Sequence, residues 1–255
     1  MKGSWFRKMA GLIGVWMAVV PALAEDGGSP PALPTDSVEA GYAFRPGALI
    51  LPASLIAVGV AGSVIDGMND FHLFRRGDGG GSFEVDNYME WGMLGWVFLC
   101  DLTGKGKHSV TDHIFLLALA EGMNAGMVHG LKKVVDKPRP DGAPYAFPSG
   151  HTANAFLGAH LAWKEFKDSN PVLAYSGYVA AAAVGGMRLY KNRHWVSDVV
   201  AGAGFGILSV ELSYLIYFSI RRAIARCAAG KAANRLVIAP AFHQGGGGLY
   251  LSLCF

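Results

Sequence analysis

Apolar and polar stretches alternate along the chain at the length of helices rather than strands. A first apolar run, Met9 to Val20, follows Lys2, Arg7 and Lys8 and ends at Ala22-Leu23-Ala24. A basic start, an apolar stretch shorter than a membrane span and a small-x-small site predict a secretory signal over residues 1–24. Residues 25–47 are rich in Pro, Gly, Ser and acids and read as a linker. Six apolar segments follow, at about 48–65, 89–102, 113–131, 151–166, 171–187 and 196–220. They are too long for strands and use Ala, Leu, Met and small residues, so all six predict helices. The expected fold is all-α, an antiparallel bundle of about six helices over residues 48–222. A basic stretch then leads to Leu249, Leu251, Leu253 and Phe255, alternating with Tyr250, Ser252 and Cys254 after a glycine turn. Residues 223–255 therefore end in an expected short β-hairpin.

Composition decides what the bundle faces. Of 255 residues, 22 are Lys or Arg and 19 Asp or Glu, a charged share of 16%. A soluble domain carries about 25%. With 52% apolar residues, and with Val199 to Ile220 interrupted only by Glu211, the bundle is expected in a membrane. A soluble periplasmic bundle is the alternative. The net charge of +3, without a basic tract longer than two residues, excludes a nucleic-acid partner. Cys100, Cys227 and Cys254 have neither metal spacing nor the numbers of a disulfide framework.

Three clusters at segment ends hold the side chains a phosphate site requires. The first ends the third segment: Lys132, then Arg139 between Pro138 and Pro140, which stop the helix so that both cations can reach one anion. Alone it is compatible with a headgroup-facing basic end. The second is Phe147-Pro148-Ser149-Gly150-His151-Thr152, with Ser149 as N-cap and the Gly150 and His151 amides at a helix N-terminus that favours an anion. An ordinary capped helix would look the same. The third is Arg188, His194 and Asp198; the spacing of four lets the carboxylate take one ring N–H and leaves the other nitrogen as a nucleophile. A structural His–Asp link is the plainer reading of that pair. At residue frequencies near ~0.05, the chance of all three falling in this order is on the order of one in a million.

Other polar residues join less readily. His160 falls on the opposite helix face from His151 and reads as structural. His129 is expected to pack. Glu121 and Asn124 are candidates for partners of the cations or for helix–helix hydrogen bonds. No group of Asp, Glu and His at metal spacing lies near the three clusters, so no metal or cofactor is expected.

In these three motifs, across about residues 85–220, the sequence resembles the type 2 phosphatidic acid phosphatase superfamily, which includes lipid A phosphatase-like envelope proteins, bacterial acid phosphatases and vanadium haloperoxidases. The resemblance implies His194 as nucleophile through a phosphohistidine, His151 as the acid for the leaving oxygen and Asp198 as the residue orienting His194. It implies Lys132, Arg139, Ser149, Gly150 and Arg188 as the phosphate-binding set, with no metal. Where the family has Ser-Arg, this chain has Met187-Arg188, so that serine's hydrogen bond is missing.

The implied activity is hydrolysis of a lipid-linked phosphate, namely lipid A, a phosphatidate-type lipid or a polyprenyl diphosphate, with membrane lipids as surroundings. A soluble broad-specificity acid phosphatase is the main alternative, ahead of a vanadate-dependent haloperoxidase or a non-catalytic envelope protein. Lys105, Lys107, Lys164, Lys167 and Arg221 to Arg235 fall at the end away from the motifs, which places the site on the periplasmic face of the bacterial inner membrane. A cleaved signal followed by six spans would put it on the other face. The short 89–102 segment is therefore expected to lie in the interface, leaving five crossings.

Overall fold

The computed structural model describes residues 45–64 and 106–228, a few positions between 88 and 98, and the backbone of 235–243 and 246–254. The expected signal, most of the linker and the 66–88 loop lie outside the described residues. The chain divides into two units, Ala43–Tyr217 and a second made of residues 1–42 and 218–255. In the second unit, Arg235–His243 runs antiparallel to Gly246–Cys254, Arg235 facing Cys254. Their side chains lie outside the described residues.

The first unit is helical. A single 3-10 turn, Pro46–Leu49, leads into α1 (Ile50–Val64), followed by α2 (Val110–Val135), α3 (Gly150–Phe166), α4 (Pro171–Tyr190) and α5 (Val196–Ala228). Residues 95–98, inside the second predicted segment, are also helical. Local signals set the ends. Ser109 and Asp112 form a reciprocal capping box at the start of α2, with bonds of 3.2 and 3.4 Å. Asp136 stops α2 in the left-handed conformation at φ 40°, just before Pro138. Asn170 caps α4, accepting from the Leu173 amide at 3.2 Å, and Pro171 takes the first helical position.

Glycines on α5 set how closely the helices approach. A Cβ on Gly206 would stand 2.2 Å from the Ala153 carbonyl oxygen of α3, and one on Gly202 would stand 2.5 Å from that of Ser149. Gly204 faces the other way, where a Cβ would meet Ile56 and Pro52 of α1 within 3 Å. Backbones thus touch on two sides of α5, the small-residue packing that suits helices with no solvent-driven force between them. On α3 and α4, Ala155, Ala159, Ala181 and Val184 form a buried cluster. Trp96, Met89 and Met187 cover it.

Among the described residues, four helices are long and apolar enough to cross a membrane: Pro46–Val64, Val110–Val135, Pro171–Tyr190 and the first 30 residues of α5. Ile50, Val58 and Val64 of α1 and Val172 and Val179 of α4 expose their side chains outward. In water such faces would be a liability, and against lipid they are the expected surface. This is a membrane protein. α3, 17 residues long, is largely buried among the others.

Polar groups inside the bundle pair between helices. Asn124 donates to Asn154 at 2.7 Å, the helix–helix option rather than a contact to the cations. Glu211, the one charge in the last apolar run, meets His160 and Lys164 at 2.7 Å each, and Tyr178 completes that group through the other His160 nitrogen. His160 is structural, as its helix face implies. His129 departs from expectation, being exposed rather than packed.

The direction of α1 corrects one expectation. Ser63, in its last turn, lies 3.3 Å from Nζ of Lys137, which follows the end of α2. Both helices therefore run toward the same end of the bundle. The antiparallel course expected for the 48–65 and 113–131 segments does not hold.

Gly206→Ala should destabilise the detergent-solubilised protein by roughly 1–3 kcal/mol through overpacking against α3. Gly126→Ala, at a position with nothing within 4 Å, should be neutral or slightly stabilising. Thermal unfolding followed by circular dichroism checks the pair.

Candidate active site

All eight residues singled out in the sequence fall at one end of the bundle. Lys132 lies in the last turn of α2, Arg139 in the following loop, Ser149 at the α3 N-cap, and Gly150 and His151 in its first turn. Arg188 is in the last turn of α4, His194 in the α4–α5 loop and Asp198 in the first turn of α5. The antiparallel bundle brings these three junctions together because α2 and α4 end where α3 and α5 begin.

The loop between α2 and α3 is held by its backbone. Ala146 N–H donates to the Lys137 carbonyl at 2.8 Å, and the Arg139 amide donates to the Ala143 carbonyl at 2.8 Å. Lys132 reaches into the loop and donates to the Tyr145 carbonyl at 2.8 Å. Trp195 ties the far side through its indole N–H, 2.9 Å from the Pro138 carbonyl.

His194 is 3% exposed, and its Nδ1 lies 2.8 Å from the Ala146 carbonyl oxygen. A carbonyl only accepts, so Nδ1 carries the proton and the lone pair is left on Nε2. Asp198 was expected to take that ring N–H. Its Oδ2 instead stands 3.7 Å away, a charge contact rather than a hydrogen bond, because the carboxylate is engaged elsewhere. Oδ2 accepts from the Trp195 amide at 2.9 Å, and Oδ1 accepts from Nζ of Lys137 at 2.9 Å.

Lys137 is the residue the sequence reading passed over. Its ammonium is buried and donates to Ser197 and Asp198 at 2.9 Å and to Ser63 at 3.3 Å, satisfying its three protons. The available signal was a lysine two residues before Arg139 in a Pro-rich loop, with an ionised Asp198 in need of a counter-charge. Ala146, which fixes the His194 tautomer through its backbone, had no side-chain signal to find.

Ser149 also departs from expectation. It occupies the N-cap by backbone conformation, yet its fully buried hydroxyl pairs with Thr152 Oγ1 at 2.9 Å instead of capping an amide. Its own amide donates to the Asp198 carbonyl at 3.0 Å. At Gly150 the protein leaves room: a Cβ would meet only Val128 at 3.6 Å. Met187, in the place of the family's serine, packs on the Ala155–Val184 cluster.

The electrostatics converge on His194. Burial lowers its pKa first, and the Lys132 and Arg188 cations lower it further, against the upward pull of Asp198, to about 4. Burial, then the Arg188 guanidinium, likewise pushes Arg139 below its ordinary value. Nε of Arg139 is buried with no hydrogen-bond partner among the described residues. Lys132 and Arg188 thus crowd one buried neutral imidazole, and Arg139 in turn acts on both of these cations.

Set against known proteins, this stretch matches the family model described as PAP2 superfamily over residues 110–222. Within it lie all three motifs of the site. The lipid A 1-phosphatase of Porphyromonas gingivalis is 43% identical over 112 residues, 44% of this chain and 24% of that protein. Phosphatidylglycerophosphatase B of Bacillus subtilis is 34% identical over 108 residues, 36% of this chain and 52% of that protein. The chain thus spans about a quarter and about half of these curated relatives. Among solved structures, LpxE of Aquifex aeolicus overlays with a TM-score of 0.42 at 22% identity, covering 54% of this chain and 89% of that one. The transmembrane PAP2-type phosphatidylglycerolphosphate phosphatase of Bacillus subtilis gives 0.40 at 24% identity, covering 69% and 94%.

Lys137→Met leaves the Asp198 carboxylate buried without its counter-ion and should cost about 3–5 kcal/mol of stability. Arg193→Ala, which removes a half-exposed pair with Asp141 at 3.1 Å, should change stability by less than about 1 kcal/mol. Denaturant unfolding of both variants in detergent checks the contrast.

Proposed function

We propose that the protein is a metal-independent phosphatase of lipid-linked phosphates. The observation that carries this is a buried imidazole whose tautomer leaves Nε2 nucleophilic, beside Lys132 and Arg188, with Arg139 next to these two cations. Lys132, Arg139 and Arg188, with the first amides of α3 at Gly150 and His151, would hold the phosphoryl oxygens and stabilise the charge that grows on them. Ser149 would support that helix end through Thr152.

In the proposed reaction, Nε2 of His194 attacks phosphorus, the P–O bond to the lipid breaks, and His151 gives its proton to the departing oxygen. Water then attacks the phosphohistidine, with His151 taking the water's proton and the P–N bond breaking to release inorganic phosphate. Asp198 supports the imidazolium character of the transition state from 3.7 Å.

Membrane embedding supports a lipid substrate over a soluble one. The two curated relatives are named for lipid phosphates, and the 43% identity to a lipid A 1-phosphatase makes lipid A the first substrate to try. We place the site on the periplasmic face. Once the site's own cations are set aside, Lys107, Lys164, Lys167, Arg221 and Arg222 weight the opposite end as cytoplasmic. With α1 and α2 running the same way, α1 then starts on the cytoplasmic side.

Phosphate release by detergent-purified protein, without added metal, should be highest on lipid A among lipid A, phosphatidic acid, undecaprenyl diphosphate and a soluble aryl phosphate. His194→Ala should abolish it. Preference for the aryl phosphate would favour the acid-phosphatase alternative, and no release from any of the four by folded protein would sink the enzymatic reading.

The pH dependence follows from His194. Attack needs the neutral ring, and its pKa near 4 keeps it neutral far below the ordinary histidine range. The acidic limb of kcat/KM, which reports the free enzyme, should therefore fall near pH 4 rather than near 6.5.

A further inference from the structure

The end of the bundle away from His194 holds a second buried polar cluster that the proposed chemistry does not use. His108 precedes α2, His113 lies in its first turn, Glu165 ends α3, and their ligand atoms lie within 4.8 Å of one another. Nδ1 of His108 stands 2.8 Å from Oε1 of Glu165, and Nε2 of His113 stands 2.6 Å from Oε2. The His108 side chain is 11% exposed and the other two are fully buried. From α5, the Tyr214 hydroxyl donates to Oε1 of the same carboxylate.

We propose that His108, His113 and Glu165 bind one divalent ion of the zinc class, with Tyr214 or water in the fourth position. Two imidazole nitrogens and one carboxylate oxygen are a donor set such ions favour. Around a tetrahedral ion with bonds of ~2.0–2.1 Å, ligand atoms stand roughly 3.4 Å apart. The observed pairs, from 2.6 Å up to the 4.8 Å limit, bracket that spacing, so changes in separation of at most about 1.4 Å admit the ion.

The surroundings suit a cation. Lys164, whose ammonium lies over the Tyr214 ring, is paired with Glu211 at 2.7 Å, and Asp112 brings a further acid to this end through Tyr217 at 2.6 Å. Backbone bonds fix the frame: the Lys107 amide donates to the Glu165 carbonyl at 3.2 Å, and the His108 amide donates to Oε2 at 3.0 Å. Bound there, the ion clamps the loop before α2, the end of α3 and, through Tyr214, the second half of α5. The role is structural and stands apart from the phosphatase reading.

The test uses the full chain, free of affinity tag, stripped with chelator and titrated with zinc and with cobalt. One ion per chain, a visible cobalt spectrum of tetrahedral intensity and a higher thermal midpoint with zinc are expected. His113→Ala should lose all three, while His151→Ala and His194→Ala should keep them. His108→Ala, on the partly exposed loop, makes the same comparison should His113→Ala fail to fold. A stripped wild type that takes up no ion, or uptake that survives loss of His108 and His113, would overturn the proposal in favour of a metal-free hydrogen-bonded cluster.

Discussion

The buried pair of Lys137 and Asp198 holds the active end of the bundle together. An ammonium and a carboxylate removed from water are each costly, and the structure offsets that by spending every proton of Lys137 on an acceptor. Because those acceptors come from α1 and α5, one side chain of the α2–α3 loop joins three parts of the fold. Asp198 in turn receives the Trp195 amide with its side chain and the Ser149 amide with its backbone, which places the start of α3 against the start of α5. Remove the pair and the loop carrying Arg139 and the helix end carrying Gly150 lose their common anchor.

That anchor explains why His194 is oriented by a backbone carbonyl. Asp198 has too many obligations to give His194 a full hydrogen bond, and Ala146, fixed through its own amide to Lys137, supplies the acceptor instead. A neutral acceptor has a chemical consequence. It selects the tautomer without adding the full pull of a carboxylate at bonding distance, so burial and the neighbouring cations dominate the imidazole and hold it neutral. Two of the cations that would bind a phosphoryl group, Lys132 and Arg188, also keep His194 neutral.

Much of this was legible in the sequence because it rests on side-chain type and spacing. The helices at 113–131, 151–166, 171–187 and 196–220 follow from apolar segments whose ends carry capping residues, and the gathering of Lys132, Arg139, His151, Arg188, His194 and Asp198 follows from their places at alternate helix ends. What was not legible depends on competition between partners. The pattern His-x3-Asp says that two side chains share a helix face, and it cannot say that Lys137 and the Trp195 amide take the carboxylate first. Ser149 is the same case: the N-cap position was evident, and the buried Thr152 hydroxyl that claims its side chain was not. His108, His113 and Glu165 escaped notice because the third member lies 52 residues beyond the second, and only the return of α3 alongside α2 brings them together.

The shared direction of α1 and α2 constrains the molecule beyond its active site. With Ser63 and Lys137 at one end, any membrane assignment has to give Val64 and Ser109 opposite faces. The glycine-lined surfaces of α5 make this arrangement rigid rather than optional, since Gly204 admits α1 on one side while Gly202 and Gly206 admit α3 on the other. α5 is thereby the axis on which both polar ends are built: Ser197 and Asp198 belong to the cationic end, and Tyr214 reaches the His108, His113 and Glu165 group at the other. A close-packed helix that carries a partner for each end couples them mechanically, because neither junction can shift without moving backbone that has no side chain in between to absorb the change.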